Sequence, residues 1–303
     1  MPDEAKPLVD LVLVEGERTP NDDGGILYVD VLVRKASFAE EQIPALRPDG
    51  ADAVPAHAIV PEGSSFRERR EQNLRAMDRS QEVAAAVALR ELGYDVGSDP
   101  EGALVVAVAE DAPATGKLEA GEVIVAVDGT AVSTPDDLRR QIGRHEVGET
   151  VRLRVRAGDD TRTVEVGTVA SPDDREQPIV GIQVEQFAEI DVPIDVEIDL
   201  GNVGGPSAGL AFALDLVEEL RGDVDRGNLV AATGEIQLDG TVSPVGGLKQ
   251  KTIGAKRAGA DVFLVPAGDN AAEARANADG MRIIAVESFQ QALRELATVP
   301  RKD

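Results

Sequence analysis

Gly205-Pro206-Ser207-Ala208-Gly209, followed later by Gly246-Gly247-Leu248-Lys249-Gln250-Lys251, is the part of this 303-residue chain on which the reading of the rest depends. The first segment sets a serine among glycines and opens an apolar run, Pro206 to Arg221. Proline at its first position and Gly222 just past its end bracket that run as a helix. In the second segment two lysines open another helical pattern, Leu248 to Ala258, whose Leu248, Ile253 and Ala255 are placed to face a core. A serine hydroxyl is a weak nucleophile until a neighbouring base takes its proton, so the chain must offer a base if this serine is to react.

The candidates for that base are few. Cysteine is absent, which excludes thiol catalysis, disulfides and cysteine-based zinc sites. The two histidines, His57 and His145, both precede the serine. Gly-Pro-Ser-Ala-Gly also fits the G-x-S-x-G elbow, but that hydrolase order requires a histidine after the serine. A histidine-first, chymotrypsin-like order stays formally open, although neither histidine stands in a matching context. Lysine is then the natural base: in an apolar site its ammonium loses hydration, its pKa falls, and a fraction becomes neutral near pH 7. Beside Ser207, the unpaired N–H groups of a helix start would stabilise an oxyanion, with Gly205, Ser207 and Ala208 as donors. Each motif alone has a plainer reading. The first is a helix start with packing glycines, and the second carries solvated surface lysines.

Composition narrows the partners. With 42% hydrophobic and 29% charged residues the chain is an ordinary globular sequence, long enough for one large core or two to three modest ones. A formal charge of −25 argues against nucleic acid and anionic lipid as partners, since phosphate contacts need clustered Lys and Arg. The apolar run from Leu8 to Val14 is broken by Asp10 and is far short of the roughly 20 residues that cross a bilayer. No signal peptide or anchor is read in the chain, and cysteine-free composition fits any redox compartment.

Along the chain, Leu8 to Val14 and Ile26 to Val33 read as neighbouring strands separated by the turn-forming residues 20–25. Ser65 to Leu92 is helical, as one helix or two broken near Asp78, with Gly93 as its stop. A compact strand-rich unit follows: a strand at Gly102 to Val108, a turn and strand over Leu118 to Gly129, and a helix from Pro135 to Ile142 with Thr134 as N-cap. A hairpin then pairs Val151 to Val155 with Thr161 to Val166 around Gly158-Asp159. The polar residues 171–178 read as a linker. Beyond them strands (Asp191 to Leu200, Asn228 to Leu238, Val262 to Val265) alternate with the two helices already named and a last helix after Ser288, which suggests an α/β domain.

Two resemblances join these readings. The strand-rich unit, with its run from Leu118 to Gly129, resembles a PDZ domain of the bacterial protease-associated type. Gly205 to Gly209, Thr233-Gly234-Glu235-Ile236, Gly240 to Lys251, and Ala258-Gly259-Ala260 before Val262 to Pro266 together resemble the proteolytic domain of Lon proteases. That resemblance implies a serine-lysine pair of Ser207 and Lys251, with Lys249 the weaker candidate and Thr233 hydrogen-bonded to the lysine. Arg75 to Ala84 resembles the helix preceding the catalytic half in Lon, which implies that the PDZ unit is inserted into the protease domain. The expected division is therefore 1–93 (N-terminal part of the protease domain), 94–170 (PDZ), 171–178 (linker) and 179–303 (catalytic domain), in an α/β (α+β) fold.

The chain lacks the G-x-x-x-x-G-K-[ST] loop of ATP-dependent Lon proteases, its one Gly-Lys pair, Gly116-Lys117, being followed by leucine. ATP hydrolysis is not expected, nor any metal or cofactor. Val203 and Gly204 replace the acidic residue and lysine that usually precede Gly-Pro-Ser. A PDZ unit on an ATPase-less Lon-type peptidase resembles the membrane-anchored PDZ-containing Lon-like proteases of Gram-positive bacteria. The likeness implies an extracytoplasmic location with the anchor outside this chain, the alternative being cytoplasmic, and a homo-oligomeric ring with six copies as the expectation. The expected activity is ATP-independent serine endopeptidase on polypeptide substrates, with the PDZ unit binding extended or C-terminal peptide segments through a loop including Leu92, Gly93 and Tyr94. Two rivals are a peptide-binding adaptor on an inactive protease scaffold, and an acyl-transferring hydrolase that turns over esters and no peptides.

Overall fold

The computed structural model describes residues 1–9, 11–14, 24–55, 66–109, 111–158, 160–172, 174–194, 196–198 and 203–302. The predicted turn at 20–23, Ser65 at the expected helix start, Asp159 of the hairpin, Asp173 of the linker, residues 199–200 of a predicted strand, and His57 lie outside the described residues. Among the described residues no helix is long and apolar enough to cross a membrane.

The chain divides into two compact units: Met1–Val96 together with Val192–Asp303, and Gly97–Asp191 between them in sequence. In the first unit, strands Gly25–Tyr28, Leu229–Ala232, Val262–Pro266 and Arg282–Val286 run parallel in that order, with the short strand Lys6–Pro7 antiparallel at the edge beside Gly25–Tyr28. Alternation along these strands produces two buried faces. On one face Leu27, Val29, Ala231, Phe263 and Val265 pack with Leu248 and Ala255 of the helix Leu248–Arg257 and with Ala271 and Ala274 of the helix Asp269–Asn277. Against the opposite face lies the helix Gly209–Arg221, buried from Gly209 to Glu219, which contacts the strands Gly25–Tyr28 and Leu229–Ala232. It packs in turn against a single unbroken 26-residue helix, Phe66–Glu91, whose Met77, Ser80 and Val83 to Leu89 are buried.

In the second unit a six-stranded sheet runs in the order Ile182–Asp191, Gly97–Val108, Val123–Val127, Thr150–Ala157, Asp160–Gly167, with Thr130–Ala131 paired to Val123–Val127. The expected helix Pro135–Ile142 forms with Thr134 as N-cap. Thr134 Oγ1 accepts from Asp137 N–H at 3.1 Å, and Asp137 Oδ2 accepts from Thr134 N–H at 3.1 Å. The core of this unit is aliphatic: Val105, Leu118, Ile124, Leu138, Ile142, Leu153 and Val166 among others.

The boundary after this unit differs from the expected one. Residues 171–178 do not act as a linker, because Ser171 N–H donates to the Gln177 carbonyl at 2.8 Å and Pro178–Ile179 pairs back onto Val169–Ala170. The chain then stays in the unit through Asp191. Val180 is buried in its core, Ile182 and Val184 pack against that core, and the strand Ile182–Asp191 pairs with Gly97–Val108 along its whole length. A short polar stretch looked like a domain boundary, but the apolar alternation behind it decides where the chain goes. The strands near the N-terminus also differ from those expected: the strand beside Gly25–Tyr28 is Lys6–Pro7, just before Leu8, and of Leu8 to Val14 only Val12–Val14 is a strand, paired with Val196–Ile198.

Because the aliphatic core of the second unit is drawn wholly from residues 103–180, a fragment spanning residues 97–191 should unfold cooperatively on its own when followed by circular dichroism. A fragment spanning residues 192–303 should not, since it lacks the helix Phe66–Glu91 against which Gly209–Arg221 is buried.

Candidate active site

Ser207 lies in a 3₁₀ turn, Pro206–Ala208, that runs directly into the helix Gly209–Arg221. This refines the single helix expected from Pro206. Gly205 enters the turn with φ at 97°, a left-handed value that a side chain would disfavour. Gly209 leaves it where no side chain fits: a Cβ there would sit 2.7 Å from Ser80 Oγ and 2.9 Å from Ile236 Cγ2.

Two segments fix this turn. From the long helix Phe66–Glu91, the Asn73 carbonyl accepts from Gly205 N–H at 2.7 Å, and Ser80 Oγ donates to the Pro206 carbonyl at 3.0 Å. From beyond the strand Leu229–Ala232, Gly234 N–H and Thr233 Oγ1 both donate to the Ser207 carbonyl, at 2.9 and 3.0 Å. Neither Asn73 nor Ser80 was singled out from sequence, although Ser80 falls within the run that resembles the Lon helix.

The lysine comes from the first turn of the helix Leu248–Arg257. Lys251 is 3% exposed, and its Nζ lies 2.7 Å from Ser207 Oγ and 2.9 Å from Thr233 Oγ1. Burial pushes its pKa down from 10.5 to about 8, against the opposing pull of the Asp30 carboxylate. A neutral amine has two N–H donors and one lone pair. With Thr233 Oγ1 accepting one N–H, the lone pair can face the serine hydroxyl and take its proton.

The neighbouring Lys249 points elsewhere, its Nζ paired to Asp52 Oδ1 at 2.7 Å, while Gln250 Nε2 donates to Asp52 Oδ2 at 2.7 Å and to the Gly50 carbonyl at 3.2 Å. Of the two lysines in the motif, only Lys251 reaches Ser207.

Asp30, just beyond the strand Gly25–Tyr28, was not flagged by the sequence. Burial raises its carboxyl pKa, Oδ2 stands 3.4 Å from Lys6 Nζ, and Oδ1 is buried with no hydrogen-bond partner among the described residues. A lone aspartate in a strand-like run carries no pattern that would have marked it.

Two expectations need correction. Gly205 N–H is occupied by Asn73, and the i to i+3 pattern of a 3₁₀ turn directs Ala208 N–H back toward the Gly205 carbonyl. Of the three expected oxyanion donors, Ser207 N–H is the one without such a backbone partner among the described residues. Leu92, Gly93 and Tyr94 do not belong to the strand-rich unit. They cap the helix Phe66–Glu91, with Gly93 at φ 87° and the N–H groups of Leu92, Gly93 and Tyr94 donating to the carbonyls of Ala88, Arg90 and Leu89. The glycine thereby closes the helix, in the role of stop that its position also suggested, and the PDZ match reported below begins within that helix and includes these three residues.

Sequence comparison finds two domains whose edges differ from those of the two compact units. Residues 170–298 match the profile of the Lon protease (S16) C-terminal proteolytic domain, and residues 72–168 match that of the PDZ domain. Lon protease 1 of Sorangium cellulosum is 44% identical over 92 residues, 30% of this chain and 11% of that protein. Lon protease 2 of Bacillus subtilis is 37% identical over 113 residues, 36% of this chain and 20% of that protein. The chain thus spans a fifth or less of the length of these curated relatives. Among solved structures, the PDZ domain of an SdrC-like protein from Listeria monocytogenes is 28% identical, covers 28% of this chain and 87% of that chain, and has a TM-score of 0.26. The chain is thus similar to the Lon (S16) proteolytic domain over residues 170–298 and to a PDZ domain over residues 72–168.

Proposed function

We propose that the protein is an ATP-independent serine endopeptidase that works through Ser207 and Lys251. The observation that supports this most directly is the 2.7 Å separation of Lys251 Nζ and Ser207 Oγ at a lysine only 3% exposed. Ser207 Oγ attacks the scissile carbonyl carbon while its proton passes to neutral Lys251 Nζ, and the carbonyl oxygen becomes an oxyanion beside Ser207 N–H. When the tetrahedral species collapses, the C–N bond breaks and the lysine returns the proton to the departing amine. Water, deprotonated by the same lysine, then releases the acyl group from Ser207. Thr233 keeps the amine in register through its contact with Nζ.

The adaptor reading requires a serine and lysine too far apart or misaligned to react, and the contact distance favours the hydrolytic one. An ester-only hydrolase would use the same pair, and the substrate panel below separates it. For the PDZ unit we propose capture of extended polypeptide by strand addition, for which Ile182–Asp191 and Asp160–Gly167 stand at the two edges of its sheet. Assembly into a homo-oligomeric ring belongs to the same proposal and is read by light scattering.

Ser207→Ala and Lys251→Ala should each abolish cleavage of casein and of a fluorogenic peptide without ATP, with circular dichroism unchanged. A wild type that cleaves neither in any condition, or cleaves esters alone, would overturn the endopeptidase assignment.

The catalytic form needs Lys251 neutral, so kcat/KM should rise tenfold per pH unit below about 8 and level off above it. A profile flat between pH 6 and 9 contradicts this role for the lysine.

The buried amine also carries a stability cost. Its folded pKa lies below the unfolded one, so the unfolded state binds more protons between about 8 and 10.5, and stability rises with pH across that window. Below pH 8 the penalty is roughly 3 kcal/mol. Lys251→Met should therefore raise the unfolding midpoint at pH 7, with the gain shrinking toward pH 10.5, as denaturant titrations at the two pH values would read.

A further inference from the structure

The peptide unit joining Pro206 to Ser207 has two working ends. Its N–H is the donor of the 3₁₀ turn that remains available to an oxyanion. Its carbonyl accepts from Gly209 N–H and, across the domain, from Ser80 Oγ at 3.0 Å. A buried serine that merely satisfies itself in a helix bonds to a carbonyl of its own preceding turn. Ser80, 4% exposed in the long helix Phe66–Glu91, instead reaches a residue 126 positions away.

The surroundings explain why this plane needs an external hold. Gly205 at φ 97° imposes little steric limit on the rotation of the chain that follows it, and Pro206 has no N–H of its own with which to anchor the turn. Among the bonds that hold the turn, those accepted by the Pro206 carbonyl act directly on the peptide plane that carries Ser207 N–H. Donation of a hydrogen bond to a carbonyl also polarises the peptide, which makes the N–H at its other end a stronger donor.

We propose that Ser80 is a positioning residue for the oxyanion hole: its hydroxyl fixes and polarises the Pro206–Ser207 peptide so that Ser207 N–H is aimed at the developing oxyanion. This rests on the hydrolytic reading given above. Ser80 touches neither substrate nor the reacting atoms. Its effect is confined to states that carry an oxyanion, and ground-state binding of the peptide does not draw on it.

The test compares wild type with Ser80→Ala and with Ser80→Cys, which keeps a near-isosteric but weak donor at the same place. Each is assayed for kcat and KM on a fluorogenic peptide, for affinity toward a peptide aldehyde that forms a tetrahedral adduct on serine, and for its pH profile and unfolding midpoint. Ser80→Ala should lower kcat by roughly tenfold to a hundredfold, the scale of a misplaced catalytic donor. KM should stay within about twofold, as expected of an interaction made only in the transition state. Aldehyde affinity should fall by the same factor as kcat, the pH at half-maximal rate should not move, and Ser80→Cys should lie between the two. Should Ser80→Ala prove unfolded, the cysteine variant carries the comparison. Unchanged kcat, a loss confined to KM, or a displaced pH profile overturns the role. A wild type that neither cleaves the peptide nor binds the aldehyde overturns the hydrolytic reading itself and this inference with it, whereas an active wild type with an unaffected Ser80→Ala sinks this inference alone.

Discussion

An amine stripped of water beside an alcohol is the constraint that organises the proteolytic unit. A lysine ammonium in a protein interior loses hydration that no single neutral partner replaces, and the cost falls when the amine gives up its proton. Among the described residues Lys251 has two neutral oxygens, Ser207 Oγ and Thr233 Oγ1, as side-chain partners and no carboxylate in hydrogen-bond contact. Had an acidic side chain sat against Nζ, the ammonium would have been stabilised and the base lost. Asp30 influences the amine only through its field, and its own burial and its proximity to Lys6 restrain that influence. The site is thus a compromise between enough apolar wall to discharge the lysine and enough polar contact to hold it still.

Holding the alcohol still is a separate task, and it accounts for the divided chain. The turn carrying Ser207 is short and rich in glycine, so its conformation is set by what surrounds it. Its restraints come from Asn73 and Ser80 on one side in sequence and from Thr233 and Gly234 on the other. Residues before and after the inserted unit thereby meet at one turn, and neither part alone supplies all of its partners.

The legible parts of the site were those where a residue type and its chemistry coincide. Ser207 stood out because glycine and proline mark its helix start, and Lys251 because the whole motif resembles that of Lon proteases; in the strand-rich unit, Thr134 was legible because a capping threonine followed by Asp137 leaves few other readings. Ser80 and Asp30 were not legible, since a serine in a helix and an aspartate in a strand acquire meaning only from residues far away in sequence. The same limit explains the misplaced domain edge. Ser171 to Pro178 has the composition of a linker, whereas what makes it a local excursion is the pairing of Ile182–Asp191 with a strand about 80 residues earlier. Leu92-Gly93-Tyr94 shows how one glycine carries two readings: a glycine that suits a ligand loop suits a helix end equally well, and here it ends a helix.

The first and last residues of the inserted unit, Gly97 and Asp191, face one another as partners in an antiparallel ladder. Such partners stand about 5 Å apart at the Cα atoms. To the rest of the chain the insertion therefore looks like the tip of a hairpin. Its length adds little closure entropy once the ladder has formed, because the ends are pinned by their own pairing. A tight turn, or a different module with equally close ends, would satisfy the same two points of attachment.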